Sequence, residues 1–513
     1  MTHANANKVA INSLALYVNM VVTMGATLLG TRFVLQALGR ADYGIYALIA
    51  SMVALFSFLN IAMAAATQRY LSFAMGEGKE KDLHAIFYGS VLIHLFIAAG
   101  VALVLLAGGS FAVGHGLDIA PDMRGAAYVV LWFVTGGLVA TILAVPNEGT
   151  MNAHEDMVAV AVINMTEALL KLGAAVAVLF IGSHQLEWYA GLIMGAQVFS
   201  FLAKRTYCLK HYAETRFRFH RPKDWALLRQ MLAFAGWNFI GTGCNMARYQ
   251  GTAILLNLFF GLVTNAAYGV AQQVNGFLVF FAGSIVRPLR PRLIKCEGAG
   301  EHERMIELAF TTGRVTFLML LLIFFPLAFH LPYVLGLWLH EVPEKTDLFC
   351  LGFLLIVLIN QSTVGLNLAL ESVGRIRRVQ QVCGSLHLVA LPFGLLFFAL
   401  SYPAESILYA IIGEELLCIV LRLRIAQKDA GVPAGTCVRT MLVPQWLTAA
   451  LGLAVAWALH AALSLLPLGA AAAFWAELFL FPTLTALLGY ACCLQPAERA
   501  YVKRLLRLPA GGH

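Results

Sequence analysis

Three charged side chains, Arg248, Glu167 and Lys171, lie deep in long apolar runs of this 513-residue chain, where a charge costs about 2.5–3.5 kcal/mol on membrane-insertion scales. No acid stands at helical spacing from Arg248, so its planar guanidinium could grip a pyrophosphate or a uronic-acid carboxylate through two parallel hydrogen bonds. The alternative is an arginine whose head snorkels to the outer interface. Glu167 precedes Lys171 by four residues, the favourable order for an ion pair, and Asn164 shares their helix face. Such a pair is either static or changes partners as a gating or coupling element, and spacing alone fits both.

Neutral polar residues recur at helical steps in other runs. Asn12, Asn19, Thr23, Thr27 and Thr31 follow one another by seven, four, four and four residues. Asn238, Thr242, Asn245 and Arg248 form a second stripe; Ser57, Asn60 and Thr67 a third; Asn265 and Gln272 a fourth, with Gln273 and Asn275 close by. Stripes of this kind line a wet cavity or bond between helices as packing glue. The glue is the commoner role for any one residue, but several striped helices together favour a cavity.

Other polar groups are read as structural. His154-Glu155-Asp156 reads as a solvated turn, Glu371 with Arg375 as an ordinary i,i+4 pair, and Glu414 and Glu415 as intramembrane or inner-edge acids. The nine cysteines show no CxxC and the fourteen histidines are scattered, so no metal site and no cofactor is expected.

The elements that carry these residues must cross a membrane. The chain is 60% hydrophobic and 12% charged, about half the charge of a soluble domain, with a mean hydropathy of +0.78. Apolar runs of spanning length lie near 10–31, 43–64, 84–108, 125–145, 157–182, 187–203, 230–257, 264–286, 311–337, 347–370, 382–400, 404–421, 441–463 and 470–492. The first is long enough to span rather than to act as a short signal segment. With a cytoplasmic N-terminus, 29 of the 35 lysines and arginines fall on the inner side, as the positive-inside rule requires, and both termini are then cytoplasmic. The net charge of +8 is thereby explained without nucleic acid. No loop exceeds about 30 residues, too short for a folded catalytic domain.

The chain also repeats itself. Ala41-Asp42-Tyr43-Gly44 is echoed 225 positions later by Ala266-Ala267-Tyr268-Gly269. The stretch from Arg69 to Phe87, with Gly76 and Gly78, is echoed by Arg292 to Phe310, with Gly298 and Gly300. Six spans per unit make the copies parallel, as in transporters with alternating access. The expected architecture is an all-α polytopic membrane protein of about fourteen transmembrane helices, in two six-helix bundles related by a pseudo-two-fold, plus a C-terminal helix pair. Its parts are an N-terminal bundle over 1–203, a basic cytoplasmic linker over 204–229, a second bundle over 230–424, and an additional helix pair and tail over 425–513. The helix pair carries few polar residues apart from Gln445, His460 and Glu477.

Leu38-Gly39-Arg40-Ala41-Asp42-Tyr43-Gly44-Ile45-Tyr46, followed by Phe56-Ser57-Phe58-Leu59-Asn60 and Ala65-Ala66-Thr67-Gln68-Arg69, resembles the N-terminal signature of polysaccharide-biosynthesis membrane proteins. These are the Wzx-type O-antigen flippases of the multidrug, oligosaccharidyl-lipid and polysaccharide exporter superfamily, with a MATE-like fold. The resemblance covers about the first ninety residues closely and the remainder as layout. It implies a transporter, not an enzyme, in the bacterial inner membrane. The implied cargo is an isoprenoid-pyrophosphate-linked oligosaccharide destined for O-antigen, lipopolysaccharide, capsule or exopolysaccharide. Proton or sodium coupling, and a polymerase or glycosyltransferases as partners, would accompany that function. A cation-coupled multidrug extruder on the same fold is the alternative, and a non-transporting scaffold for a synthase complex is a third. The expected cavity residues are Arg248, Asn245, Asn238, Asn19, Asn60, Asn265 and Gln272, with Glu167 and Lys171 as the gating or coupling pair.

Overall fold

A computed structural model describes the chain except residues 1–2, 55–56, 117–119, 217–224, 340–341, 466–469, 497 and 501–513. Among the described residues there is no strand. Helices follow in order as α1 (His3–Ala54), α2 (Ser57–Gly76), α3 (Glu80–Phe111), α4 (Arg124–Ala153), α5 (Met157–Ala177) and α6 (Gln185–His211). Then come α7 (Trp225–Gly298), α8 (His302–Phe329), α9 (Leu331–Trp338), α10 (Thr346–Ser362), α11 (Val364–Val373) and α12 (Arg377–Val379). The last five are α13 (Ser385–Ala399), α14 (Ser406–Ala430), α15 (Ala434–Cys437), α16 (Val443–Ser464) and α17 (Ala470–Leu488). The stretch expected to be a linker over 204–229 is therefore helical up to His211 and again from Trp225.

Ten helices among the described residues are long and apolar enough to cross a membrane, or eleven if the bent pair α10 and α11 forms one span. The expectation was about fourteen. Part of the difference is that α7, at 74 residues, contains a break at Gly261, so the two spans expected there share one helix. In α14, Glu414, Glu415, Arg422 and Arg424 interrupt what is otherwise an apolar run. The surfaces of these helices expose Leu28, Phe96, Leu103 and Leu258. A helix apolar on its outward face as well as its packed face belongs in lipid.

The breaks show the repeat in the backbone itself. Gly39 (φ 71°, ψ −178°) interrupts α1 and Gly261 (φ 80°, ψ −171°) interrupts α7, a region of φ/ψ space open essentially to glycine alone. Each glycine turns the chain between two spanning segments within one residue. A second pair, Gly76 and Gly298, serves close approach: a Cβ on Gly76 would lie 2.1 Å from the Lys295 carbonyl oxygen, and one on Gly298 would lie 2.3 Å from that of Phe73.

The chain divides into two compact units. The first comprises residues 1–239 with 294–300, and the second 240–293 with 301–513. In the first, Val34, Ile49, Val130, Leu131 and Val178 form a core between α1, α4 and the end of α5. In the second, Tyr268, Phe317, Phe325, Phe349 and Phe353 pack with Phe481 of α17, which draws the last helices into that core. Lipid is as apolar as these side chains, so it is close packing, more than escape from water, that holds them.

Gly261→Ala should lower the melting temperature of the purified protein, because an L side chain at φ 80° costs about 1–3 kcal/mol. Gly243→Ala is the matched control: it lies on the same helix with nothing within 4 Å of the added Cβ and should be neutral or mildly stabilising. Equal melting temperatures for the two variants would mean that the break is not fixed by Gly261.

Candidate functional site

In the second unit four helices converge on a buried set of charges. From α7, Arg248 directs Nη1 at Glu414 Oε2 (2.6 Å) and Glu415 Oε1 (3.1 Å) of α14, and donates Nη2 to Asn245 Oδ1 (2.8 Å) one turn earlier on its own helix. His387 of α13 meets the other Glu414 oxygen through Nδ1 at 2.7 Å. Asn360 of α10 donates to Glu415 Oε2 at 3.2 Å. Arg422, two turns along α14, lies 3.7 Å from the same Glu415 oxygen and donates to Thr363 Oγ1 at 2.9 Å. Because Glu414 and Glu415 are adjacent, their carboxylates leave α14 about 100° apart. Glu414 reaches towards α13 and Glu415 towards α10, while Arg248 spans both.

The side chains of Arg248, Glu414 and Glu415 are 2%, 4% and 1% exposed. Two guanidiniums face two carboxylates, so the set is neutral when His387 is neutral. At this depth each charge is tolerable only because the others are present. Arg248 has two acid partners that its own helix does not supply. Sequence spacing along α7 offers none, but α14 supplies two from 166 and 167 residues away. Both terminal nitrogens of the guanidinium are taken, so the two-pronged face that an anionic substrate would need is already occupied by the protein.

The polar thread continues along α7. The Arg248 guanidinium lies 5.2 Å from the Tyr249 ring centre, and the Tyr249 carbonyl accepts from Tyr268 Oη and from Gln272 Nε2, each at 3.4 Å. Of the expected cavity residues, Arg248, Asn245 and Gln272 are thus brought into one neighbourhood. Asn265 is half-buried on the same helix.

The first unit holds the rest. Lys171 Nζ lies 2.7 Å from Glu167 Oε1, with the two side chains 37% and 19% exposed. Nearby, Lys204 of α6 donates to Glu148 Oε2 of α4 at 2.8 Å. Glu148, Glu167, Gln197, Ser200 and Lys204 line one cavity of about 200 Å³. Glu148 was not singled out from sequence, and Lys204 was read only as the first residue of the basic linker over 204–229, so their pairing across two helices was not foreseen. Asn19 is buried on α1, and its Oδ1 has no partner among the described residues. Asn238 is half-buried on α7, and the Asn60 side chain lies outside the described residues. The threonines of the first stripe return their hydroxyls to their own helix: Thr23, Thr27 and Thr31 donate to the carbonyls of Asn19, Thr23 and Thr27.

Two structural readings change. His154-Glu155-Asp156 is an organised junction rather than a solvated turn. His154 Nε2 lies 2.6 Å from Glu214 Oε1, Lys295 pairs with Glu155 at 3.1 Å, and Tyr212 donates to Asp156. Burial works against the Glu214 carboxylate, but hydrogen bonds from His154 and from its own backbone N–H outweigh that penalty and hold its pKa below the usual range. Glu371 pairs with Arg290 of α7 at 3.3 Å, in place of the expected pair with Arg375, which donates to the Asp429 carbonyl.

Residues 7–296 match the sequence profile of a family described as "Polysaccharide biosynthesis protein". No curated protein matches the chain. An outward-facing multidrug resistance MATE family transporter of the MOP superfamily superposes with a TM-score of 0.72 at 10% identity, over 85% of this chain and 97% of its own. The Vibrio cholerae MATE transporter VcmN in its bent form gives 0.68 at 16% identity, over 83% and 97%. A MOP superfamily transporter from Pyrococcus furiosus, for which reverse polarity of the binding pocket suggests a different function, gives 0.69 at 9% identity, over 84% and 96%. At such identities the structural likeness establishes the fold.

Arg248→Ala should leave two buried carboxylates uncompensated and destabilise the second unit by about 3–5 kcal/mol. The readouts are the melting temperature in detergent and the amount of protein in the membrane. A variant that accumulates and melts as the wild type does, yet fails to transport, would instead make Arg248 a substrate ligand.

Proposed function

Since the chain belongs to the polysaccharide biosynthesis protein family and shares its fold with MOP superfamily transporters, we propose that it is a multi-pass membrane transporter whose cargo is an isoprenoid-pyrophosphate-linked oligosaccharide. The isoprenoid tail stays in the bilayer while the sugar head group is carried from the inner to the outer leaflet of a bacterial inner membrane by alternating access. A polyhydroxylated head group needs such a carrier because hydrocarbon offers no replacement for its hydrogen bonds to water. Both termini face the cytoplasm in this reading, in line with the distribution of lysine and arginine.

The family match over 7–296 carries the proposal. The charges support it against extrusion of organic cations. A cavity for cations needs acid to spare, whereas Glu148, Glu167, Glu414 and Glu415 each hold a lysine or arginine of the chain. Neutral donors and acceptors such as Gln197 and Ser200 remain for a saccharide. Arg248 is assigned the role of holding α7 and α14 together, and Glu167 with Lys171 that of a gating or coupling pair.

In a strain lacking the chain, lipid-linked oligosaccharide should accumulate on the inner leaflet and surface glycan should fall, both restored by the wild-type gene. Normal surface glycan with impaired efflux of ethidium or another organic cation would refute the flippase and favour the drug extruder.

Within that reading, Glu167→Gln and Lys171→Met should each lower glycan export, and the double variant should fold at least as well as either single variant, since it strands no lone charge. A double variant that folds and exports normally would reduce the pair to a structural one.

A further inference from the structure

Two clusters in the second unit bring a histidine–carboxylate set of three within 4.8 Å of one another: His387 with Glu414 and Glu415, and His330 with His460 and Glu477. The first is already neutralised by Arg248 and Arg422, whose charges would repel a cation. The second has no such occupant. Among the described residues, no lysine or arginine contacts Glu477, whose side chain is 1% exposed and receives only the two imidazoles. A fully buried carboxylate faced by two histidines is a nitrogen and oxygen donor set suited to zinc.

Three helices bring the donors together. His330 caps the end of α8 with φ −119° and ψ 22°, just before Pro332 opens α9. His460 lies in the last turns of α16, and Glu477 in the second turn of α17. His330 Nε2 is 2.8 Å from Glu477 Oε2, and His460 Nδ1 is 2.9 Å and 3.2 Å from the two oxygens. Zinc bonds of about 2.0–2.2 Å set ligand atoms of a tetrahedron about 3.3 Å apart, so each histidine nitrogen needs to part from the carboxylate by only about half an ångström, and the donor atoms all lie within 4.8 Å of one another. A neutral imidazole at either position would direct its N–H at the carboxylate. Moving that proton to the other ring nitrogen, Nδ1 of His330 and Nε2 of His460, presents a lone pair to the ion without a net change in protons.

The surroundings favour retention. The Phe329 ring lies 5.2 Å from that of His460, and Phe474 meets His330 edge-on at 5.4 Å, which keeps the dielectric low and strengthens the attraction for a cation. The His460 side chain is 40% exposed, so the cluster is reached from the protein surface at this one of its three members.

We propose that His330, His460 and Glu477 bind one zinc-class divalent cation that fastens α16 and α17 to the end of α8. The test uses the full chain, purified in detergent without a polyhistidine tag and treated with chelator, then titrated with Zn²⁺. One equivalent should bind and raise the melting temperature, and Co²⁺ should give the visible absorption of a tetrahedral site. Glu477→Gln should lose both effects. Because it could also loosen the fold, His460→Asn, at the partly exposed position, serves as the second variant. It should melt like the metal-free wild type and no longer respond to Zn²⁺. Absence of a Zn²⁺-dependent shift in the wild type, or an unchanged shift in His460→Asn, would overturn the proposal.

Discussion

A guanidinium with almost no exposed surface cannot remain in a membrane-spanning bundle alone, so Arg248 determines where α7 and α14 must meet. Its two carboxylates in turn recruit His387 from α13 and Asn360 from α10, because each oxygen left without a donor would add its own desolvation penalty. Apolar packing between these helices would tolerate rotation and sliding, since one leucine contact in lipid resembles another. The charged set does not: a shift of α14 by one residue would turn Glu414 and Glu415 away from their partners by about 100°. The register of four helices therefore rests on the directional bonds of one arginine.

The first unit meets the same cost differently. The two ion pairs beside its cavity use lysines, whose single ammonium on a flexible stem exchanges partners more readily than a planar guanidinium. One pair joins neighbouring turns of α5 and the other joins α4 to α6, and Glu148, Glu167 and Lys204 face a common cavity. Charge is balanced within each of these two sets, but the one around Arg248 holds it with fixed forks and the one beside the cavity with movable points.

What the residues disclosed from sequence followed the range of the interaction. The all-helical membrane fold was legible because hydropathy is a property of each segment by itself, and the repeat was visible in paired positions such as Gly76 and Gly298, whereas the breaks at Gly39 and Gly261 came only from the backbone angles. The Glu167–Lys171 contact was legible for the same reason, being one helical turn. The partners of Arg248 were not, since nothing in the spacing of α7 indicates which distant acid will face it. Glu414 and Glu415 were seen as acids in a span, but two adjacent carboxylates do not reveal their partner. The threonine stripe of α1 suggested a wet face, whereas three of its hydroxyls bond to carbonyls four residues back, an outlet open to any helical threonine. Junction residues such as Glu155, at φ 64°, depend on contacts as distant as Lys295.

This contrast bears on where a coupling proton could act. Protonating Glu414 or Glu415 would strip Arg248 of half its compensation at 2% exposure, and a guanidinium cannot release its own proton to restore neutrality. The cost would fall on the packing of four helices at once. Protonating Glu167 would free Lys171, whose side chain is 37% exposed and whose long stem can carry the ammonium towards water. A transport cycle that binds and releases a proton needs a group whose two protonation states both have an affordable environment. The pair on α5 meets that requirement and the cluster around Arg248 does not, which is why the proposed gating or coupling role is given to Glu167 and Lys171 and the proposed structural role to Arg248.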